Sequence, residues 1–242
     1  MLCQFTVKNY KSIRDEVTFD MQAAAISEHE DRIIKDQDGE MYLPVSAIYG
    51  PNGGGKSNVL AALHTLVAKI LRPLYATEDN EDKVLLQKRI IVEPFAFSDS
   101  KNEPTEFELF FCTESAEYRY ILHVKRDVVI YESLDRVKLE TGRRSALYTR
   151  DDKGIVLKGA FAKLKVSDDL SKTLTLLSYL GIAYKGNAVI KDVLNWFEFG
   201  VDFLNYGNPI QELRMAISTS EDVKYLMLEM IQEMDLDIVD FR

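Results

Sequence analysis

The chain has 242 residues and a mass of 27.7 kDa, with 46% hydrophobic and 29% charged residues and a formal net charge of −9. These values support a packed core of one large or two small domains and exclude a wholly disordered, collagenous or low-complexity chain. No run approaches the ~20 apolar residues of a membrane helix, and Met1-Leu-Cys-Gln-Phe-Thr-Val-Lys8 lacks the basic-then-apolar order of a secretory leader, so no membrane partner and a cytoplasmic location are expected.

Phe5-Thr-Val-Lys-Asn-Tyr10 and Glu16-Val-Thr-Phe-Asp-Met21 alternate apolar and polar residues and predict two strands. Residues 27–40 are polar and predict a loop. Leu43-Pro-Val-Ser-Ala-Ile-Tyr49 is nearly all apolar, the pattern of a short strand buried on both faces. After the glycines of 50–55 a helix begins near Lys56, with Val59, Leu60, Leu63, Leu66, Val67, Ile70 and Leu71 on one face, and Pro73 is expected to stop it. Residues 79–82 form an acidic loop. From 106 to 150 the period becomes two, with many aromatic and β-branched residues and short gaps, predicting antiparallel hairpins. Beyond Ser167 apolar residues recur three and four apart over 170–180, 188–206 and 220–234, and Ser218-Thr-Ser-Glu221 is a capping-box pattern. Asp237-Ile-Val-Asp-Phe241 reads as the start of a strand. The expected organisation is a nucleotide-binding core over 1–100, an antiparallel β region over 101–166 and a helical region over 167–242. The two cysteines, Cys3 and Cys112, have no metal spacing and form no disulfide framework; both read as buried reduced thiols.

Gly50-Pro-Asn-Gly-Gly-Gly55-Lys56-Ser57 fits G-x-x-x-x-G-K-[ST] at every fixed position. Glycines allow backbone angles that turn successive N–H groups toward a phosphate, and a side chain at Gly53 or Gly55 would obstruct that approach. The helix start adds a partial positive charge. Lys56 supplies a full charge for the β- and γ-phosphates and is the candidate catalytic residue; Ser57 offers its hydroxyl to Mg²⁺. ATP and Mg²⁺ are therefore the expected cofactors, in an α/β P-loop NTPase fold.

The interior of the motif, Gly-Pro-Asn-Gly-x-Gly-Lys-Ser-Asn, resembles the phosphate loop of ABC-type ATPase heads of the SMC and RecF class. Phe5-x-x-x-Asn9-Tyr10-Lys11-Ser12-Ile13 is similar to the segment that opens those proteins. Within the class the chain looks like bacterial AAA-type ATP-binding proteins of the OLD and abortive-infection (phage-defence) kind, with looser matches at Glu93-Pro-Phe-Ala-Phe97, Tyr118-Arg-Tyr120 and 187–197. The resemblance implies the first lobe of such a head. It places Gly50, Asn52, Gly53, Gly54, Gly55, Lys56, Ser57 and Asn58 at phosphate-loop positions, and Lys11 and Ser12 near the nucleotide; the plain alternative for the last two is an exposed strand end. It implies a homodimer of heads that controls an effector such as a nuclease or toxin, or a DNA transaction. The same heads use a glutamine to sense Mg²⁺; Gln87 is a candidate by elimination only, against a solvated helix glutamine.

The sequence also departs from that class. An apolar strand ending Asp-Glu is not found. Val128-Val-Ile-Tyr-Glu132 carries a lone glutamate and Asp237-Ile-Val-Asp240 is too short. Leu177-Ser-Tyr-Leu-Gly181 is a near miss to the Leu-Ser-x-Gly signature and reads as an ordinary helix end. The expectation is an ATP-binding lobe without its catalytic lobe, binding ATP with little turnover. The alternative is a nucleotide-sensing module that holds a partner nuclease or toxin. A P-loop kinase is disfavoured by the Pro-Asn interior. The stretch 119–165 holds twelve basic residues against six acidic ones in an otherwise acidic chain; it suggests a nucleic-acid partner only weakly, the alternative being a solvated sheet face. His29, His64 and His123 have no partners at metal spacing. Trp196, Phe197, Phe199 and Phe203 read as core.

Overall fold

The computed structural model describes residues 1–24, 30–35, 39–76, 90–167, 169–203 and 225. Residues 1–201 form one compact unit and 202–242 a second. The first unit is an antiparallel sheet with helices on one side. Strands β1 (Leu2–Lys8), β2 (Val17–Asp20), β5 (Thr105–Cys112), β6 (Ala116–Lys125), β7 (Val128–Lys138), β8 (Arg143–Asp151) and β9 (Gly154–Leu157) form one sheet in the order β2-β1-β5-β6-β7-β8-β9. β3 (Ile34–Lys35) and β4 (Met41–Tyr42) make a separate short ladder. The β region expected over 106–150 is thus a meander, in which hairpin connections join sequential neighbours.

Alternation explains the sheet's two faces. Along β1 every second residue is buried, ending in Phe5 and Val7, and Phe107, Leu109, Tyr118, Tyr120 and Leu122 continue that buried face. Helices α1 (Lys56–Tyr75), α2 (Leu176–Ala183) and α3 (Ala188–Phe199) touch one another, and α3 docks on the sheet through aromatic rings. Trp196 stacks on Phe111 with centroids 4.3 Å apart, and Phe197 meets Phe111 and Tyr120 edge-on. Each such pair contributes about 0.5–1.5 kcal/mol beyond its buried area. Gly181 stands where the helices cross: a Cβ there would lie 2.5 Å from Leu194 and 2.8 Å from Leu74. Asp192 ties α3 to the β5–β6 turn by accepting hydrogen bonds from the hydroxyls of Thr113, Ser115 and Tyr118.

Several expectations are corrected. Residues 43–49 are not a strand: they are irregular, and Val45 and Tyr49 are 77% and 89% exposed. Their apolar pattern calls for cover that no described residue supplies. Pro73 does not stop α1, which runs on to Tyr75; in the last turn the missing N–H removes a single bond, and the helix ends two residues later. The helix expected over 170–180 begins only at Leu176, because the Thr175 side chain accepts from the Ser178 N–H and caps it. The helix expected over 188–206 ends at Phe199, with Asn187 as its N-cap. Trp196 and Phe197 are core, whereas Phe199 is 78% exposed. The acidic loop 79–82, Gln87, His29, 220–234 apart from Tyr225, and 237–241 lie outside the described residues. The cysteines are both buried, and they meet: the two Sγ atoms are 3.1 Å apart. Among the described residues no helix is long and apolar enough to cross a membrane.

Candidate functional site

The glycine cluster forms an open loop on the surface before α1. Gly53 and Gly55 have φ of +79° and +87°, and Gly50 lies at +159°. At Gly53 nothing would meet a Cβ within 4 Å, so the backbone angle alone demands glycine; at Gly55 a Cβ would also lie 3.1 Å from Ser12 Oγ. Gly54 N–H bonds the Pro51 carbonyl at 3.1 Å, closing the turn. Gly55 is the N-cap of α1, makes no side-chain cap, and no acidic residue follows in the first turn. The positive end of a twenty-residue helix is therefore not answered by any capping side chain. Lys56 Nζ donates to the Gly50 and Pro51 carbonyls, both at 2.8 Å, and so arches over the loop. Ser57 is exposed, and Asn52 lies on the exposed rim.

The loop is held from the other side by the β1–β2 hairpin. Asn9 and Lys11 both take positive φ, 56° and 48°, and the tip closes with Tyr10 and Ile13 exchanging backbone bonds. Asn58 Nδ2 donates to Ser12 Oγ at 2.6 Å, which brings Ser12 to the loop. Lys11 donates its backbone N–H to the Glu93 carbonyl, and its ammonium sits 5.3 Å from the Tyr10 ring centroid. Ser12, Gly55 and Asn58 are thus brought together; Lys11 is an exposed neighbour of Ser12 at the same tip.

Two residues of that segment, passed over as candidates in the sequence, position the site. Buried Asn9 donates through Nδ2 to the carbonyls of Ser100, Glu103 and Pro104, and accepts from Phe95 N–H through Oδ1. Buried Tyr10 shares a hydrogen bond with Thr65 Oγ1 at 2.8 Å and donates to the Ala61 carbonyl, both on α1. Asn9 fixes the hairpin to the body of the sheet, and Tyr10 fixes α1 to the hairpin. Their signal was the same motif that drew attention to Lys11 and Ser12.

Elsewhere, the residues at the departures from that class serve packing. Glu132 is fully buried. It accepts from the Tyr120 and Tyr148 hydroxyls and from the N–H groups of Leu176 and Leu177, at the start of α2. Burial raises its pKa, against the pull of those hydrogen bonds and of Arg150. Ser178 of the near-signature is buried and donates to the Ile70 carbonyl, so that segment joins α2 to α1. The basic stretch 119–165 makes varied contacts: Arg119 pairs with Glu108, Arg136 lies over Tyr118, Lys138 pairs with Glu140, and Arg150 binds the Leu174 and Ser171 carbonyls. His123 packs against Tyr131, and burial lowers its pKa. No cluster of three or more metal-ligating side chains occurs among the described residues.

Residues 45–205, roughly two thirds of the chain, match the family described as "AAA domain, putative AbiEii toxin, Type IV TA system". No curated protein is significantly similar to the chain. The matched stretch opens in the exposed apolar segment, takes in the glycine loop and α1, and covers the meander and the two shorter helices. With this match, the sheet-and-helix architecture is an α/β P-loop NTPase fold.

Proposed function

The chain belongs to this AAA-domain family, and from that premise we propose that it binds ATP–Mg²⁺ at residues 50–58 as the ATP-binding lobe of a larger ATPase of the SMC, RecF and OLD kind. One observation carries the reading: a loop of positive-φ glycines opens a helix that no side chain caps, with Lys56 arched over it. The backbone N–H groups of that helix start are suited to a phosphate oxygen. Lys56, held in the free protein by two neutral carbonyls, would exchange them for the β- and γ-phosphate charge. Ser57 has an exposed side chain suited to Mg²⁺. Ser12 and Asn58 brace the loop, and Lys11 adds a charge beside them. When bound, the metal would neutralise phosphate charge.

In the larger ATPase, two ATP-loaded heads would meet and control an effector, a nuclease or toxin of a phage-defence system or a DNA transaction. The exposed 43–49 run supports the existence of a second lobe. An apolar segment leading into the loop, with Val45 and Tyr49 in solvent, suits a further sheet laid against it.

A second reading is favoured by Glu132. This lone glutamate after the 128–131 run is enclosed by two tyrosine hydroxyls and two N–H groups at the start of α2, and so is not disposed to orient a water at the loop. This chain alone would then bind nucleotide with little turnover and act as a sensing module for a partner. Titration calorimetry and phosphate release on the same protein test both readings. Lys56-dependent binding without turnover supports the lobe and the sensor alike. Robust Lys56-dependent turnover by the chain alone would overturn the claim that catalysis needs a second lobe. Absence of ATP binding with and without Mg²⁺ would overturn both.

A further inference from the structure

We propose that Cys3 and Cys112 are a redox-active pair that closes to an intramolecular disulfide on reaction with a hydroperoxide, latching β1 to β5. The chain has only these two cysteines, 109 positions apart in sequence. Their meeting is a product of the fold. β1 pairs with β5, and a register shift between Leu2 and Gln4 leaves Cys3 as the extra residue of a bulge. Beside it the strand ends are clamped: Met1 N–H₃⁺ donates to the Cys112 carbonyl at 2.6 Å, and Cys112 N–H donates to the Met1 carbonyl at 2.9 Å. The sulfurs are left 3.1 Å apart, in contact and about one ångström from bonding distance. They lie in a small apolar cluster with Tyr42, Met1, Met21 and Phe110.

Access and reactivity are both present. A cavity of about 730 Å³ is lined by Met1, Cys112, Thr113, Asp192, Asn195 and Trp196, and gives a small oxidant a route to Cys112, with the Cys3 sulfur in contact behind it. The two thiols share one hydrogen bond, which stabilises a thiolate on whichever sulfur accepts it. One sulfur attacks and the other resolves. The thiolate attacks one peroxide oxygen and breaks the O–O bond. The departing hydroxide takes a proton and leaves as water, and the first sulfur becomes a sulfenic acid. The second sulfur then attacks the first, the S–OH bond breaks, and the hydroxide leaves with the second thiol's proton as a second water. One hydroperoxide is consumed, and two thiols become one disulfide.

The test uses the whole chain, fully reduced, then treated with about one equivalent of hydrogen peroxide. Denatured samples are titrated with a maleimide and weighed intact. The expected result is a fall from two reactive thiols per chain to near zero in the monomer, with a loss of about two mass units that a dithiol reductant restores. Cys3→Ala and Cys112→Ala, each lacking the resolving sulfur, should instead keep a sulfenic acid on the remaining cysteine that reacts with dimedone, and no adduct in either variant would overturn the sulfenic-acid route. Two thiols that stay reactive, or a disulfide found only in dimers, would overturn the pair.

Discussion

Replacing Lys56 by alanine separates the loop's own architecture from its affinity for nucleotide. In the free protein the ammonium makes two hydrogen bonds of 2.8 Å to the Gly50 and Pro51 carbonyls, in a solvent-exposed setting. Water replaces it there, so the folded state loses little, less than about 0.5 kcal/mol, as for surface substitutions generally. In the nucleotide complex the same ammonium would face phosphate oxygens rather than neutral carbonyls. A charge-assisted contact of that kind, once truncated, costs on the order of 2–4 kcal/mol. The difference should weaken the dissociation constant for ATP–Mg²⁺ roughly 30- to 1000-fold. Titration calorimetry measures the affinity, and thermal unfolding on the same samples checks the fold. Equal affinity in the two proteins, with equal melting temperatures, would refute the assignment of the loop.

Gly55→Ala should destabilise the protein by about 1–2 kcal/mol through its left-handed backbone, with a further penalty from the Cβ placed 3.1 Å from Ser12 Oγ; Gly53→Ala, with open space around it, should show the backbone part alone, and equal denaturation midpoints for the two would show that the Ser12 contact is unimportant. Asn9→Ala leaves three carbonyls and the Phe95 N–H without their partner; a loss of about 2–3 kcal/mol in urea unfolding is expected, and a loss below 0.5 kcal/mol would refute its anchoring role. Glu132→Ala should cost about 3–5 kcal/mol by stranding Arg150 and four hydrogen-bond donors, while the folded fraction keeps its ATP affinity. The pH dependence has a definite sign. Burial raises the Glu132 pKa from 4.5, so the folded state binds its proton more tightly than the unfolded one. The stabilisation is fully present below 4.5 and is lost as pH rises through the raised value. Relative to Glu132→Gln, the native protein should therefore be most stable at acid pH; a difference independent of pH would contradict this.

The parts of the chain legible in advance are those where a local pattern and its fold partner coincide. The meander could be read because its hairpins join neighbours, so period-two alternation and short gaps carry nearly all the topology. The glycine loop could be read because its backbone angles are demanded locally, at Gly53 by φ alone. Asn9 could not be read as an anchor, since three of its partners lie more than ninety residues away, on carbonyls that present no side-chain signal. The meeting of Cys3 with Cys112 depends likewise on a one-residue bulge, which alternation does not encode. Glu132 could be set aside as a strand-end acid, but its own role could not be read for a related reason: its partners are a helix start and two tyrosines from neighbouring strands. Residues 43–49 differ from all of these. Alternation and helical spacing report where side chains are to be buried, not by which segment. Val45, Ile48 and Tyr49 carry the pattern of burial while being solvent-exposed. Keeping such residues beside a phosphate loop exposes apolar surface that folding of the described residues does not remove. Such a pattern is consistent with selection for a covered state, and the proposed second lobe would provide the cover.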